Sequence, residues 1–83
     1  MDLTILYFAS VREAMGRSSE SMQSDAATLG QLRDALIARG APYDVALARG
    51  KSVRMALDQV MRDEASPLAH GSEVAFFPPV TGG

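Results

Sequence analysis

Apolar and polar positions alternate over Leu3-Thr-Ile-Leu-Tyr-Phe8, which puts Leu3, Ile5 and Tyr7 on one face of a strand and Thr4, Leu6 and Phe8 on the other. The threonine marks the second face as the outer one. Ser10-Val-Arg-Glu13 has the spacing of a capping box, and Gly16 is placed to end a helix of about six residues. Ser18 to Ser24 is polar and weakly alternating, the pattern of an edge strand beside the first. Thr28-Leu-Gly-Gln31 forms a second capping box. Behind it Leu29, Leu32, Ala35 and Leu36 recur at helical spacing as far as Gly40, a natural residue to follow a helix. This is the main helix, and its apolar stripe is predicted to pack in the core.

Ala41-Pro42 opens a connection with room for one helical turn through Val45-Ala46-Leu47, before a turn at Arg49-Gly50-Lys51. Val53, Met55 and Leu57 then alternate with Arg54, Ala56 and Asp58, as in a half-buried strand, and Asp58-Gln59 turns the chain into a short return strand, Val60-Met61-Arg62. Pro67-Leu68 leads to the closing strand. Val74-Ala-Phe-Phe77 is wholly apolar and predicts a strand buried on both faces in the middle of a sheet, entered through a turn at Gly71. The order of strand, short helix, polar strand, long helix, hairpin and final strand predicts an α+β fold. A mixed sheet with one main helix across one face is the β-grasp, or ubiquitin-like, arrangement; a ferredoxin-like sandwich is the competing topology. There are no internal repeats or linkers, so residues 1–77 form one domain and residues 78–83 a tail.

That tail is where chemistry is expected. Pro78-Pro79 cannot donate to a β-ladder and holds the preceding residues extended, so a stiff arm leaves the last strand. Val80-Thr81-Gly82-Gly83 has little side chain to pack, and from Pro78 the arm spans roughly 20 Å when extended. A frayed end is the plain alternative. At average glycine usage, however, a terminal Gly-Gly arises by chance in roughly one chain in two hundred. The Gly83 carboxylate is therefore the expected working group.

Composition narrows the classes. The 83 residues contain no cysteine and one histidine, which excludes disulfides, thiolate chemistry and a structural zinc site built from this chain alone. No metal and no bound cofactor are expected. A net charge of -2, with eight basic residues scattered along the chain, argues against nucleic acid as the main partner. Asp2 stands where a signal peptide carries positive charge, and no apolar run approaches membrane-spanning length, so no membrane partner is expected and the expected location is cytoplasmic. Arg49, Lys51 and Arg54 lie close together and read as a solvated loop, in preference to a docking site for an acidic partner surface. There is no Walker-type loop and no plausible Ser/His/Asp set, and His70 reads as a surface loop residue.

The run Glu-Val-Ala-Phe-Phe-Pro-Pro-Val-Thr-Gly-Gly, with Tyr7-Phe8-Ala9-Ser10-Val11-Arg12-Glu13 near the start, closely resembles the sulfur-carrier small subunits of molybdopterin synthase, a β-grasp family. The resemblance covers essentially the whole chain. Ser72 departs from it, since the family usually has aspartate after the glycine. The resemblance implies that Gly83 is adenylated by an activating enzyme using ATP with magnesium and converted to a thiocarboxylate. It further implies a large synthase subunit, in a heterotetramer of two small and two large subunits, that uses the sulfur to turn a cyclic pyranopterin monophosphate into molybdopterin. Pro78, Pro79, Val80, Thr81 and Gly82 would thread into the partner, and Phe8, Met61, Ala75 and Phe77 would dock it on the sheet face beside the tail. The competing view of that face is that the 41–52 connection covers it. Two other functions share the Gly-Gly end: a sulfur carrier for thiamine, cysteine or tRNA thiolation, and a ubiquitin-like tag conjugated through Gly83.

Overall fold

The computed structural model describes residues 1–79, so the expectations for Val80, Thr81, Gly82 and Gly83 lie outside the described residues. The elements are β1 (Asp2–Tyr7), α1 (Ala9–Met15), β2 (Ser19–Gln23), α2 (Leu29–Ile37), α3 (Tyr43–Ala46), β3 (Arg54–Leu57), β4 (Val60–Arg62) and β5 (Glu73–Phe77). They make a five-stranded sheet in the order β2-β1-β5-β3-β4. β1 and β5 run parallel, and the other neighbours are antiparallel. This is the β-grasp arrangement, not the ferredoxin-like one.

One face of the sheet builds the core. Leu3, Ile5 and Tyr7 from β1, Met55 from β3 and Val74 and Phe76 from β5 meet Val11 and Met15 of α1, Leu29, Leu32 and Leu36 of α2, and Ala46 and Leu47. The alternation in β1 thus placed its two faces correctly. β5 is central, as expected, but it is buried on one face only. Val74 and Phe76 are buried while Ala75 and Phe77 are half-buried, because every helix of the described chain packs on the opposite side.

The short elements needed tertiary information. Ser10 does not cap α1: the cap is Phe8, with no side-chain hydrogen bond, and Ser10 lies inside a seven-residue helix. Ala9 sits at φ 51°, so the chain turns sharply from β1 straight into the helix and leaves no room for a serine cap. Gly16 ends the helix in the left-handed conformation, as its position predicts. In α2 the Thr28 hydroxyl accepts from the Gln31 backbone amide at 3.2 Å, while the Gln31 side-chain Oε1 accepts from the Ala27 amide at 2.9 Å, one residue earlier than a standard box. The helix stops at Ile37, short of Gly40. The turn expected over 45–47 forms two residues earlier, as α3.

Ala35 was expected in the core and is exposed, whereas Arg33, never a core candidate, is 4% exposed. Its guanidinium donates to the carbonyls of Leu47 (2.9 Å), Ala48 (2.9 Å) and Lys51 (3.2 Å) and lies 3.5 Å from the Glu64 carboxylate. Burial lowers its pKa, and the nearby Arg49 acts in the same direction. The residue staples the irregular 47–51 segment to α2. Arg33→Met should therefore leave these carbonyls without donors and cost about 2–3 kcal/mol. A fall in Tm of roughly 10–20 °C in calorimetry is the expected reading; an unchanged Tm would show that water replaces the staple.

Candidate functional site: the outer sheet face and the root of the tail

The outer face is built by register. Leu6 of β1 stands opposite Ala75, which stands opposite Ala56, which stands opposite Met61, so four apolar residues from four strands form one row across the sheet. The Phe8 amide donates to the Phe76 carbonyl at 3.1 Å, which sets Phe8 beside the end of β5. Phe8 is 46% exposed and Met61 61% exposed, and Phe77 and Ala75 are half-buried. The four residues expected to dock a partner therefore share one face. Leu6 and Ala56 belong to the same row and were not singled out. Alternation had placed both on this side, but only the pairing of strands distant in sequence joins them to the others.

The 41–52 connection does not cover this face. α3 lies against α1 and α2, on the core side. Beneath the row, Tyr7 and Phe76 stack with ring centroids 6.2 Å apart, which packs the end of β5 from below. Pro78 and Pro79 follow the strand and are half-buried. Pro78 joins Val11, Ala14, Ala46 and Val53 in the wall of a small cleft whose polar lining includes Lys51 and Ser52. The start of the strand is also fixed. Gly71, at φ 83°, donates to the Asp2 carbonyl at 2.8 Å, and the buried Ser72 hydroxyl accepts from the Ala69 amide at 3.1 Å. The serine hydroxyl itself thus closes the turn before β5.

The three clustered cations separate. Arg49 is exposed, as expected, but it is paired: it bonds Asp34 at 2.8 and 3.0 Å and the Gly30 carbonyl at 3.1 Å, and it pairs with Glu64. Those partners, Glu64 first, raise its pKa. Lys51 and Arg54 remain exposed. His70 is a surface residue with 71% of its side chain exposed; its Nδ1 accepts from the Asp2 amide at 3.2 Å.

A second polar cluster went unread in the sequence. Glu20 accepts from the Tyr7 hydroxyl at 2.8 Å and from Tyr43 at 2.9 Å, with Arg17 at 3.4 Å and Arg39 at 3.9 Å. An inward-facing glutamate on β2 also blunts that edge of the sheet against pairing. Burial, and then Glu20, push the Tyr7 phenol above its ordinary pKa of 10.0. In the unfolded chain the phenol ionises near pH 10. Its contribution to stability is therefore complete below about pH 10 and is lost as pH rises toward the folded value. Stability measured by urea unfolding should fall above about pH 10 by up to roughly 1.4 kcal/mol per pH unit from this residue. Tyr7→Phe should flatten that fall, and an unchanged slope would place the titration elsewhere.

The family model described as the ThiS family matches residues 5–83, which includes the Gly-Gly end. The chain belongs to the ThiS family. This ThiS-family chain is 38% identical over 81 residues to the molybdopterin synthase sulfur carrier subunit of Haemophilus influenzae, covering 98% of this chain and 99% of the relative. It is 40% identical over 81 residues to the molybdopterin synthase sulfur carrier subunit of Escherichia coli, with the same coverage. The same fold occurs in a protein–protein complex of subunits 1 and 2 of molybdopterin-converting factor from Helicobacter pylori, with a TM-score of 0.69, 23% identity and full coverage of both chains. No helix among the described residues is long and apolar enough to cross a membrane.

Proposed function

We propose that this chain is a sulfur carrier subunit of molybdopterin synthase, with the C-terminal carbonyl of Gly83 as its reactive group. The observation that carries this reading is the 38–40% identity, over nearly the whole of both chains, to two such subunits, within a family match that runs through Gly83. The chemistry suits the residue types. A carboxylate that attacks the α-phosphate of ATP displaces pyrophosphate and becomes an acyl-adenylate. A sulfur nucleophile then attacks the acyl carbon and displaces AMP. Both steps need an acyl carbon free of neighbouring side chains, and Gly82 and Gly83 carry no Cβ.

The folded part presents that terminus. β5 is held on both sides by β1 and β3, is stacked from below through Phe76, and is followed directly by Pro78-Pro79. The catalytic acids, bases and nucleotide-binding groups belong to an ATP-dependent activating enzyme and to the large synthase subunit. Leu6, Phe8, Ala56, Met61, Ala75 and Phe77 offer the large subunit an apolar face continuous with the root of the tail. In the synthase this pairing would form a heterotetramer of two small and two large subunits in the cytoplasm.

The test is capture of the chain from cells followed by intact-mass spectrometry. The expected result is a species in which one terminal oxygen is replaced by sulfur, with the large synthase subunit as co-purifying partner. Isopeptide-linked adducts on lysines of other proteins would instead establish a conjugating tag. Capture of a thiamine, cysteine or tRNA thiolation enzyme in place of the large subunit would establish a different sulfur acceptor.

A further inference from the structure

The charged residues beside the two ends of β5 differ in sign. Half of the chain's eight basic residues are ion-paired within the molecule: Arg17 and Arg39 share Glu20, and Arg33 and Arg49 share Glu64, with Asp34 also on Arg49. Of the other four, Arg12 lies on α1 and Arg62 on the edge strand β4, and Lys51 and Arg54 likewise have no ion-pair partner among the described residues. Lys51 and Arg54 flank the exit of the tail. Arg54 is directly opposite Phe77 in register, and Lys51 lines the cleft that Pro78 walls. Arg12 and Glu13 stand side by side on α1 and add no net charge there.

The other end of the sheet has the opposite sign. β5 opens on Glu73, whose amide is held by the Asp58 carboxylate at 2.9 Å, and the parallel β1 opens on Asp2. The position of Lys51 is also structurally fixed. Its carbonyl is one of the three held by the buried Arg33, and its amide donates to Ala48 at 2.9 Å. A buried guanidinium thus anchors the segment that carries the chain's single lysine beside the root of the tail.

Resting on the function proposed above, we infer that Lys51 and Arg54 form a cationic collar that recognises acidic side chains around the mouth of the channel by which the large synthase subunit receives the tail. The acidic end of β5 opposes docking in the reversed direction. The apolar row supplies contact area, and the collar sets which end of the sheet faces the mouth, the usual division between burial and charge complementarity at an interface. Because both cations are exposed, their effect falls chiefly on the association rate and is screened by salt.

Stopped-flow association of the full chain with purified large subunit, at ionic strengths from about 20 mM to about 500 mM, tests this. For the wild type, the association rate constant should fall steeply as salt rises. The double variant Lys51→Glu/Arg54→Glu should associate about tenfold more slowly at the low end and within about twofold of wild type at the high end. Lys51→Arg/Arg54→Lys, which keeps both charges, should match wild type throughout. Gln23→Glu, which adds a negative charge at the far end of the sheet, should change the rate by less than about twofold. The inference is overturned if the double reversal leaves the low-salt rate unchanged, if its defect is the same at both ends of the salt range, or if Gln23→Glu slows association as much. Absence of any binding by the wild-type chain would overturn the sulfur-carrier reading itself.

Discussion

Removal of Gly83 is expected to abolish thiocarboxylate formation while leaving the fold intact. Deletion draws the terminal carboxylate back by roughly 3.5 Å, and addition of one residue carries it forward as far. Misplacement of a reacting atom by as little as about 1 Å can cost a hundredfold in rate, so either change removes most of the benefit of positioning the carboxylate against ATP. The terminal carboxyl is ionised at neutral pH by its reference pKa, so the wild-type terminus needs no further activation to act as the nucleophile. Stability should be unaffected, because every buried core residue among the described residues lies between Leu3 and Phe76. Intact-mass spectrometry after incubation with the activating enzyme, ATP and a sulfur source checks the chemistry, and circular dichroism checks the fold. The assignment of Gly83 is lost if a chain shortened or extended by one residue still supports molybdopterin synthesis at the normal rate in a purified system without protease.

Phe77→Asp should leave the domain folded and abolish co-purification with the large subunit. Phe77 faces outward, away from the core cluster, so its loss opens no cavity. In the free chain the new carboxylate would stand opposite Arg54, a cross-strand pair that is mildly favourable. In the complex it would replace a central apolar contact with a desolvated charge. Phe77→Ala separates lost contact from added charge. It should weaken binding by about 2–3 kcal/mol, on the order of a hundredfold in Kd by isothermal titration calorimetry. Unfolding of the aspartate variant would make Phe77 a core residue, and normal binding by both variants would move the interface to another face.

Much of the fold followed from local signals because those signals are themselves local. The alternation of β1, the Thr28 cap of α2, the left-handed glycine at Gly16 and the Asp58-Gln59 hairpin turn all depend on residues a few positions apart. The end of β5 at Phe77 was legible for the same reason: two prolines state their backbone restrictions without reference to anything else in the chain. The Ser10 cap failed where a tertiary bond competed. The Phe8 amide is drawn to the Phe76 carbonyl across a parallel pairing 68 positions away, and the helix begins immediately after it.

The sequence by itself determined the order of elements, the inward face of β1 and the sheet-central place of the last strand. Tertiary structure alone decided which residues outside the apolar core act together. Arg33 reads as a solvated helix residue until three carbonyls from the 47–51 segment surround it, and Arg49 reads as part of a basic cluster until Asp34 and Glu64 claim it. Leu6, Ala75, Ala56 and Met61 become a row only through strand pairing. The physical reason is common to all three. Periodicity tells which way a side chain points from its own backbone, but what it meets there is set by register and packing between segments tens of residues apart.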